Sequence, residues 1–311
     1  MKLSRREFTT AGAALGTGAA LARPAEAGEA GLNFLLVGDW GRLGHHHQRA
    51  VARQMGVTAA AIGSRFVVSV GDNFYENGVD SVSDPQWRRS FEEVYTAPAL
   101  QTPWQVILGN HDYRGNVQAQ LDYARQSPRW RLPARYYMQS LDLPGGGRAA
   151  FYYLDTSPFI RKYYGTRVAV NGQDSQAQLD WLAAGLAAST ADWNIVIGHH
   201  PIYGAHAADP GYEGPDQPDL IARLDPVLRA HRVPVYICGH DHVLQAVQMN
   251  GISYICTGAG SETYQPGPAI RGGFASGAHG FMVARLSAAR LDWALMDASG
   301  NALYSQSILR G

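Results

Sequence analysis

The chain has 311 residues, enough for one large domain or two small ones, and 46% of them are apolar, which suffices for a sizeable core. Lysine plus arginine equals aspartate plus glutamate at 26 each, so the formal net charge is zero, and the charge balance gives no reason to expect nucleic acid or an anionic membrane as a partner. Two cysteines, Cys238 and Cys256, are too few for a disulfide framework; one bridge is possible, but we expect two buried free thiols.

Residues 1–27 have the pattern of an export signal. A twin-arginine pair, Arg5-Arg6, precedes a mild apolar run over residues 11–22, and Ala25-Glu26-Ala27 fits a small-x-small cleavage site. The run is shorter than the ~20 residues that a membrane-spanning helix needs. A surface amphipathic helix is the alternative. We predict export through the twin-arginine pathway to the periplasm or the medium, and a mature domain over residues 28–311 that lies outside the membrane.

The pattern of apolar residues predicts alternating strands and helices at first and mostly short strands towards the end. The predicted strands cover residues 32–37, 67–70, 104–108, 136–138, 149–154, 194–197, 235–238, 243–249, 252–256, 281–286, 291–296 and 302–308. The predicted helices cover residues 48–62, 87–94, 117–125, 176–188 and 220–231, the last interrupted or restarted at Pro226.

Two glycine-containing segments, Gly145-Gly146-Gly147 and Asn250-Gly251, are predicted as hairpin turns. Residues 159–171 have no clear period, and we expect them to run over the surface near the site. No internal repeat, linker or shift of composition divides residues 32–311, so one domain is expected.

Several predicted strands end in the same way, with an apolar run, a glycine, and then a residue type that can bind a metal. These residues are Asp39, Asp72, Asn110, His199 and the pair His240 and His242. Each alone is typical of an ordinary strand-end cap or a hydrogen-bonded histidine, but together they favour a metal site. Carboxylate and imidazole ligands suit Zn, Fe and Mn. Two ions about 3.5–4 Å apart need a bridging carboxylate, and Asp72 on a central strand is the natural bridge.

These strand ends resemble the conserved blocks of the calcineurin-like metallophosphoesterases. The matching segments are Gly38-Asp39-Trp40-Gly41, Gly71-Asp72-Asn73-Phe74-Tyr75, Gly109-Asn110-His111-Asp112, Gly198-His199-His200-Pro201 and Gly239-His240-Asp241-His242. The chain is similar, more narrowly, to the purple acid phosphatases of the tartrate-resistant type. In that family the tyrosine three residues after the bridging aspartate, here Tyr75, replaces a histidine of the first block, where this chain has Gly41.

The resemblance covers essentially all of residues 32–310 and implies both a fold and a ligand set. The implied fold is α/β (α+β), a four-layer sandwich of two mixed β-sheets flanked by helices. One ion would be held by Asp39, Asp72, Tyr75 and His242, and the other by Asp72, Asn110, His199 and His240. A phenolate at acid pH requires a strong Lewis acid, so Tyr75 favours Fe(III) at the first position. Asn110 and the two histidines favour divalent Fe, Zn or Mn at the second.

The resemblance also implies a reaction, the hydrolysis of a small phosphate monoester by a metal-activated hydroxide at an Fe(III)–M(II) centre. His111 is expected to protonate the leaving oxygen, and His206 resembles the second catalytic histidine of the family, although its spacing from His199 is shorter than the family pattern. A phosphodiesterase or nucleotidase on the same metals is the nearest alternative. A non-catalytic metal-binding protein is a remote one, because no ligand is lost. The physiological substrate and the oligomeric state are left open.

The sequence gives weaker indications that several other residues belong to the metal site. His200 and Asp241 are interpreted as side chains that orient ligand imidazoles. The run His45-His46-His47 is interpreted as an exposed polar loop, with an extra metal patch as the alternative. His279 is expected to lie outside the site. Tyr113 stands where the resembled family often has another histidine.

Overall fold

The computed structural model describes residues 30–205, 216–268 and 271–311, so the predicted signal segment and His206 lie outside the described residues. The strands are β1 (Leu32–Val37), β2 (Phe66–Ser69), β3 (Trp104–Val106), β4 (Trp130–Arg131), β5 (Tyr137–Asp142), β6 (Arg148–Tyr153), β7 (Trp193–Ile197), β8 (Val235–Cys238), β9 (Leu244–Met249), β10 (Ile252–Thr257), β11 (Phe274–Ser276), β12 (Gly280–Leu286), β13 (Arg290–Asp297) and β14 (Ala302–Leu309). The α-helices are α1 (Gln48–Ile62), α2 (Val117–Tyr123), α3 (Ser175–Ala188) and α4 (Pro218–Ala230). Within these ranges no helix combines the length and the apolar character that spanning a membrane requires.

The described strands form two mixed seven-stranded sheets. The first has the order β14-β13-β12-β1-β2-β3-β4, and the second has the order β11-β9-β10-β8-β7-β6-β5. In the first sheet β1 to β4 run parallel, and in the second β6, β7, β8 and β10 run parallel. Antiparallel strands extend both sheets outward from these parallel centres. Parallel strands bring their carboxyl ends to one edge, and this edge carries the site described below.

Alternate residues of the central strands face different layers. Phe34 of β1 belongs to the apolar cluster between the two sheets, whereas Leu35 belongs to the cluster that the helices cover. Helix α1 packs against β1 and β12 of the first sheet. On the second sheet, the ring of Trp181 in α3 lies 6.0 Å from that of Tyr152 in β6. The layers are therefore helix, sheet, sheet and helix, which confirms the predicted four-layer sandwich.

A cluster of aromatic rings lies beneath the first two strand ends. The ring centroid of Trp130 is 6.4 Å from that of Trp40 and 5.8 Å from that of Phe74, and these two rings are 5.4 Å apart. Trp40 directly follows Asp39, and Phe74 directly precedes Tyr75. Ring packing of this kind is directional, so the cluster fixes the backbone on which two predicted ligands stand.

Most predicted elements are confirmed, and the differences have local causes. Strands β4 and β11 were not predicted because runs of two and three residues are too short to show a period. The segment expected to be helical over residues 87–94 is a π-helix, Trp87–Glu92. The predicted interruption of the last helix is wrong, because α4 continues through Pro226. Packing of its buried leucine face offsets the backbone hydrogen bond that proline removes.

The segment 159–171 does not simply run over the surface. Phe159, Ile160, Val168 and Val170 are all buried, so the expectation of a surface course is wrong for these residues. Short 3₁₀ turns, Ser157–Phe159 and Arg161–Tyr163, direct individual apolar side chains inward. Single inward residues produce no period in the sequence, which is why the pattern was uninformative here.

Candidate metal centre

The predicted ligands come from neighbouring parallel strands of both sheets. Asp39, Asp72 and Asn110 follow β1, β2 and β3 of the first sheet, while His199 and His240 follow β7 and β8 of the second. The two sets meet between the sheets, because His199 Nε2 lies 3.4 Å from Asp72 Oδ1. The structure thus brings together strand ends that are far apart in the chain.

The backbone turns sharply at three of these positions. Asp39, Asp72 and His240 have φ angles of 60°, 48° and 69°. Residues other than glycine seldom adopt this left-handed conformation, and such strain gathers at functional sites. A neighbouring glycine leaves the space this requires: a Cβ at Gly109 would lie 2.2 Å from Asp72 Oδ1. The glycine that opens the third block is therefore needed for close approach to the Asp72 carboxylate.

The hydroxyl of Tyr75 is surrounded by groups that accept hydrogen bonds. It lies 3.0 Å from Asp39 Oδ1, 3.1 Å from Asp72 Oδ2 and 2.8 Å from His242 Nε2. A hydroxyl has one proton and cannot satisfy all of these partners at once. Four oxygen and nitrogen atoms that converge in this way form a donor set suited to a cation, and they are the four residues expected to hold the first ion.

Two of the three remaining predicted ligands, Asn110 and His199, have a buried side-chain atom without a hydrogen-bond partner among the described residues. Asn110 Oδ1 and His199 Nε2 are buried and make no hydrogen bond within the described part of the chain. His199 Nδ1 lies 2.9 Å from the carbonyl oxygen of Val70, so the other nitrogen is the one directed at Asp72. The ring of His240 is 5.2 Å from that of His199. Unsatisfied buried polar atoms are rare in folded proteins, and a second cation would satisfy these.

The electrostatics of the cluster favour a cation. Burial raises the pKa of Asp39 well above its usual range, with Asp72 adding to the rise and His199 opposing it. Burial also raises the pKa of Asp72, but His199 together with His111 and His240 lowers it more, and the net shift is downward. For Tyr75, burial and then the two carboxylates raise the pKa well above that of an ordinary tyrosine. Without a cation Tyr75 is thus a neutral phenol, and a phenolate here needs a cation to stabilise it.

His200 lies beside the ligands, but both of its nitrogens have other partners. Nδ1 is 2.8 Å from Thr156 Oγ1, and Nε2 is 3.0 Å from the hydroxyl of Tyr163. The Thr156 hydroxyl also accepts from the backbone N–H groups of His199 and His200. Asp241 Oδ2 accepts from Gln245. Both side chains therefore have partners outside the ligand set, and their role in orienting the ligands stays a prediction.

Asp112 has a role that the sequence did not suggest. Its buried carboxylate accepts hydrogen bonds from Gly109 N at 2.8 Å, from Asn73 N at 3.1 Å and from Gln120 Nε2 at 2.8 Å. It therefore ties the loop that carries Asp72 to the loop that carries Asn110. The sequence provides only a weak indication of this role, because an aspartate that follows a histidine is also typical of a further metal ligand or of a surface charge.

The cluster forms the floor of a cleft of about 650 Å³. Three cationic side chains that the sequence reasoning missed line it, Arg42, Arg114 and Lys162. Arg42 directly follows the first matched block and Arg114 lies two residues after the third, so proximity in the sequence was an available signal for them. Lys162 stands in the aperiodic segment, where no signal existed.

His111 also lines this cleft, beside the predicted ligands. Its Nδ1 lies 2.7 Å from the carbonyl oxygen of Glu76 and 2.9 Å from Arg114 Nη1. Its Nε2 is 3.9 Å from Asp72 Oδ2. Burial lowers the pKa of His111, and Asp72 opposes this. One ring nitrogen is thus anchored to the backbone while the other faces the cluster, and only the second is available to a substrate.

The cleft lining does not include the histidine run 45–47, His279 or Tyr113. His45 and His46 are exposed, and the ring of His47 stacks on that of His279 at 3.9 Å. Tyr113 is buried; its hydroxyl donates to Asp155 and accepts from Arg135. Neither Tyr113 nor His279 contributes to the cleft lining.

Comparison with known proteins agrees with this geometry. The calcineurin-like phosphoesterase family matches residues 32–244. Purple acid phosphatase 7 of Arabidopsis thaliana is 35% identical, with 89% of this chain and 86% of that protein covered. Tartrate-resistant acid phosphatase type 5 of Oryctolagus cuniculus is 37% identical, with 74% of this chain and 73% of that protein covered. The chain belongs to the calcineurin-like phosphoesterases, and within them to the purple acid phosphatases.

Membership in this family makes metal-dependent phosphoester hydrolysis the function of the chain, and it implies a centre with two metals. Among solved structures, GAP50, the anchor in the inner membrane complex of Plasmodium, superposes with a TM-score of 0.80 at 26% identity, covering 91% of this chain and 90% of that one. This superposition agrees with the fold. The two acid phosphatases confirm the expected resemblance to the purple acid phosphatases.

Stability is expected to depend on pH through Asp155. Burial raises its pKa to about 7, with Tyr113 and Arg135 opposing, whereas in an unfolded chain it is about 3.9. The stability that this proton adds is complete below about pH 4 and is lost as the pH rises towards 7. The free energy of unfolding of the wild type minus that of Asp155→Asn should fall by about 1.4 kcal/mol per pH unit in this window and stay level above it.

Urea unfolding in steps of pH measures this difference. Asp180→Asn, on the exposed side of α3, is the matched control and should show no such slope. A pH-independent difference for Asp155→Asn would mean that Asp155 is ionised in the folded protein throughout.

Proposed function

We propose that this chain is an acid phosphatase that hydrolyses phosphate monoesters with two metal ions, one of them Fe(III). The observation that carries the proposal is the convergence of two buried carboxylates on the hydroxyl of Tyr75, 3.0 and 3.1 Å away. The names of its relatives, purple acid phosphatase and tartrate-resistant acid phosphatase, point to the same activity. The proposed ligands are those that the resemblance implies: Asp39, Asp72, Tyr75 and His242 for one ion, and Asp72, Asn110, His199 and His240 for the other.

The identities of the ions follow from the donor types. Tyr75 and two carboxylates give three negative charges when the phenol is ionised, which suits a ferric ion with a divalent neighbour. Neutral Asn110 and two imidazoles suit divalent Fe, Zn or Mn. When bound, such ions supply Lewis acidity, which lowers the pKa of water and neutralises charge on the phosphoryl oxygens.

The chain itself contributes positioning and proton transfer. The cationic side chains of the cleft, Arg42, Arg114 and Lys162, attract a phosphate ester to the cluster. His111 donates a proton from Nε2 to the leaving oxygen, since its Nδ1 is held by the carbonyl oxygen of Glu76. An imidazole whose pKa is lowered by burial is a stronger acid, which suits work at acid pH. His206, outside the described residues, remains the proposed second catalytic histidine.

A non-catalytic role would be the other reading of this fold, since GAP50 is an anchor. The ligand set argues against it here. Every predicted ligand has a metal-binding side chain, and the buried Asn110 Oδ1 is held without a hydrogen-bond partner in the described part of the chain, at a cost in stability. In a purely structural protein, nothing would offset this loss of folding stability.

Metal analysis and a visible spectrum of the purified protein test the centre. We expect two ions per chain and a tyrosinate–Fe(III) band that is absent in Tyr75→Phe, because phenylalanine has no oxygen to donate. Asp72→Asn should lose both retained metal and turnover, since the shared carboxylate is gone. Tyr264→Phe, a tyrosine of the same cleft, is the matched control and should keep the band. A colourless, fully active di-zinc or di-manganese enzyme would contradict the assignment of iron.

Comparison of substrates tests the role of His111. In His111→Ala, turnover of alkyl phosphates should fall roughly 100-fold or more, because the leaving alkoxide then lacks its proton donor. Esters of 4-nitrophenol, whose leaving group needs little protonation, should lose less than alkyl esters. His279→Ala, outside the cleft, should leave both unchanged. Equal losses on both classes would contradict a general acid, and assays on diesters in parallel test the phosphodiesterase alternative.

We also propose that residues 1–27 direct export through the twin-arginine pathway to the periplasm or the medium. The Arg5-Arg6 pair and the small residues Ala25 and Ala27 support this. Replacing Arg5 and Arg6 together by lysine should leave the uncleaved chain in the cytoplasm of a bacterial host, whereas Arg23→Lys should not. Fractionation and amino-terminal sequencing measure this; export of the double variant would contradict the assignment.

A further inference from the structure

Arg42 directly follows the first matched block in the sequence, and its side chain lies over the ring of Tyr75. The carbon at the centre of its guanidinium is 3.9 Å from the ring centroid. Its side chain is only 11% exposed, so water screens the charge poorly. A shielded arginine over the face of a tyrosine ring is the geometry of a strong cation–π contact.

Two carboxylates hold Arg42 in this place. Nη1 lies 2.5 Å from Glu76 Oε1, and Nη2 lies 2.9 Å from Glu262 Oε2. Glu76 directly follows Tyr75, while Glu262 follows Ser261, whose hydroxyl donates to the carbonyl oxygen of Asp39. Both glutamates are about half exposed, so each pair adds little free energy. The two pairs fix the orientation of Arg42, because a planar guanidinium held at both terminal nitrogens is kept over the ring.

We propose that Arg42 is a positioning residue that tunes Tyr75 as a ligand, and that it thereby sets the colour and the reduction potential of the ion that Tyr75 binds. This inference rests on the proposed Fe(III) centre. Its new content is that a cation from the protein, outside the ligand set, controls how strongly the tyrosine donates electrons.

The charge of Arg42 acts on the electrons of the Tyr75 ring. An ionised phenol spreads negative charge into its ring, so a cation over the ring face stabilises the phenolate more than the neutral phenol. Electrons that Arg42 stabilises are held more tightly by Tyr75 and donated less to iron. Arg42 is in contact with the ring and is therefore closer to the donor than to the metal. Its loss should raise the energy of the donor electrons more than that of the acceptor.

Two measurable shifts follow from the loss of the cation. The tyrosinate–Fe(III) band should move to longer wavelength, because the gap between donor and acceptor narrows. The reduction potential of the iron should become more negative, because a stronger donor and one fewer positive charge both favour Fe(III). Neither quantity depends on turnover.

The experiment uses the metal-loaded full-length protein and compares R42Q, R42M and R42K. R42Q and R42M both remove the charge, and R42M keeps much of the apolar stem, so one serves if the other fails to fold. R42K keeps a cation near the ring. We expect the red shift and the more negative potential in R42Q and R42M, and values near those of the wild type in R42K. R125Q, which removes an exposed arginine from the surface, is the matched control and should shift neither.

The outcomes separate this inference from the proposed function. A coloured wild type with unshifted R42Q and R42M overturns the role of Arg42 and leaves the iron centre standing. Equal shifts in all three Arg42 variants also overturn it, because the effect would then come from altered packing rather than from charge. A wild type with no tyrosinate band removes the iron centre and this inference with it.

Discussion

Two buried carboxylates share one tyrosine hydroxyl, and the rest of the structure depends on this concentration of negative charge. Asp39 and Asp72 are both almost fully shielded from water, yet each lies within about 3 Å of the Tyr75 hydroxyl. Burying like charges together is costly unless a cation or a proton compensates them. In the metal-free chain, protons compensate: Asp72 raises the pKa of His199 to about 9 although burial lowers it. Bound cations would do the same more strongly.

The scaffold around this charge is rigid because each ligand loop is anchored on a separate element. Parallel strands deliver the loops to one edge, and left-handed backbone at three of them turns the side chains inward. Beneath them, Trp40 donates from its indole to Ser69, and Ser69 bonds Asn73, which in turn contacts Asp112. This buried chain of hydrogen bonds links the first three loops. A site that must hold several side chains within a few tenths of an ångström needs such support.

The cleft wall carries cations as well as the carboxylates of Glu76, Asp241 and Glu262. The floor is acidic, whereas Arg42, Arg114 and Lys162 bring cations to the wall, where an anionic ester would enter. Two glutamates hold the guanidinium of Arg42, so its positive charge has a fixed position in the cleft. Arg42, which lines the cleft, therefore also shapes the field felt by Tyr75.

The sequence by itself determined most of the strands and helices and the residue types at the strand ends, whereas the layer architecture was implied by the family resemblance. The strand ends are local signals: an apolar run, a glycine and a polar residue occupy consecutive positions. Only the tertiary structure decided that Asp112 joins two loops and that Arg42 lies over Tyr75, because such contacts join residues more than 30 positions apart. No periodicity encodes them, since they depend on how the loops converge in space. The inward course of residues 159–171 was hidden for the same reason.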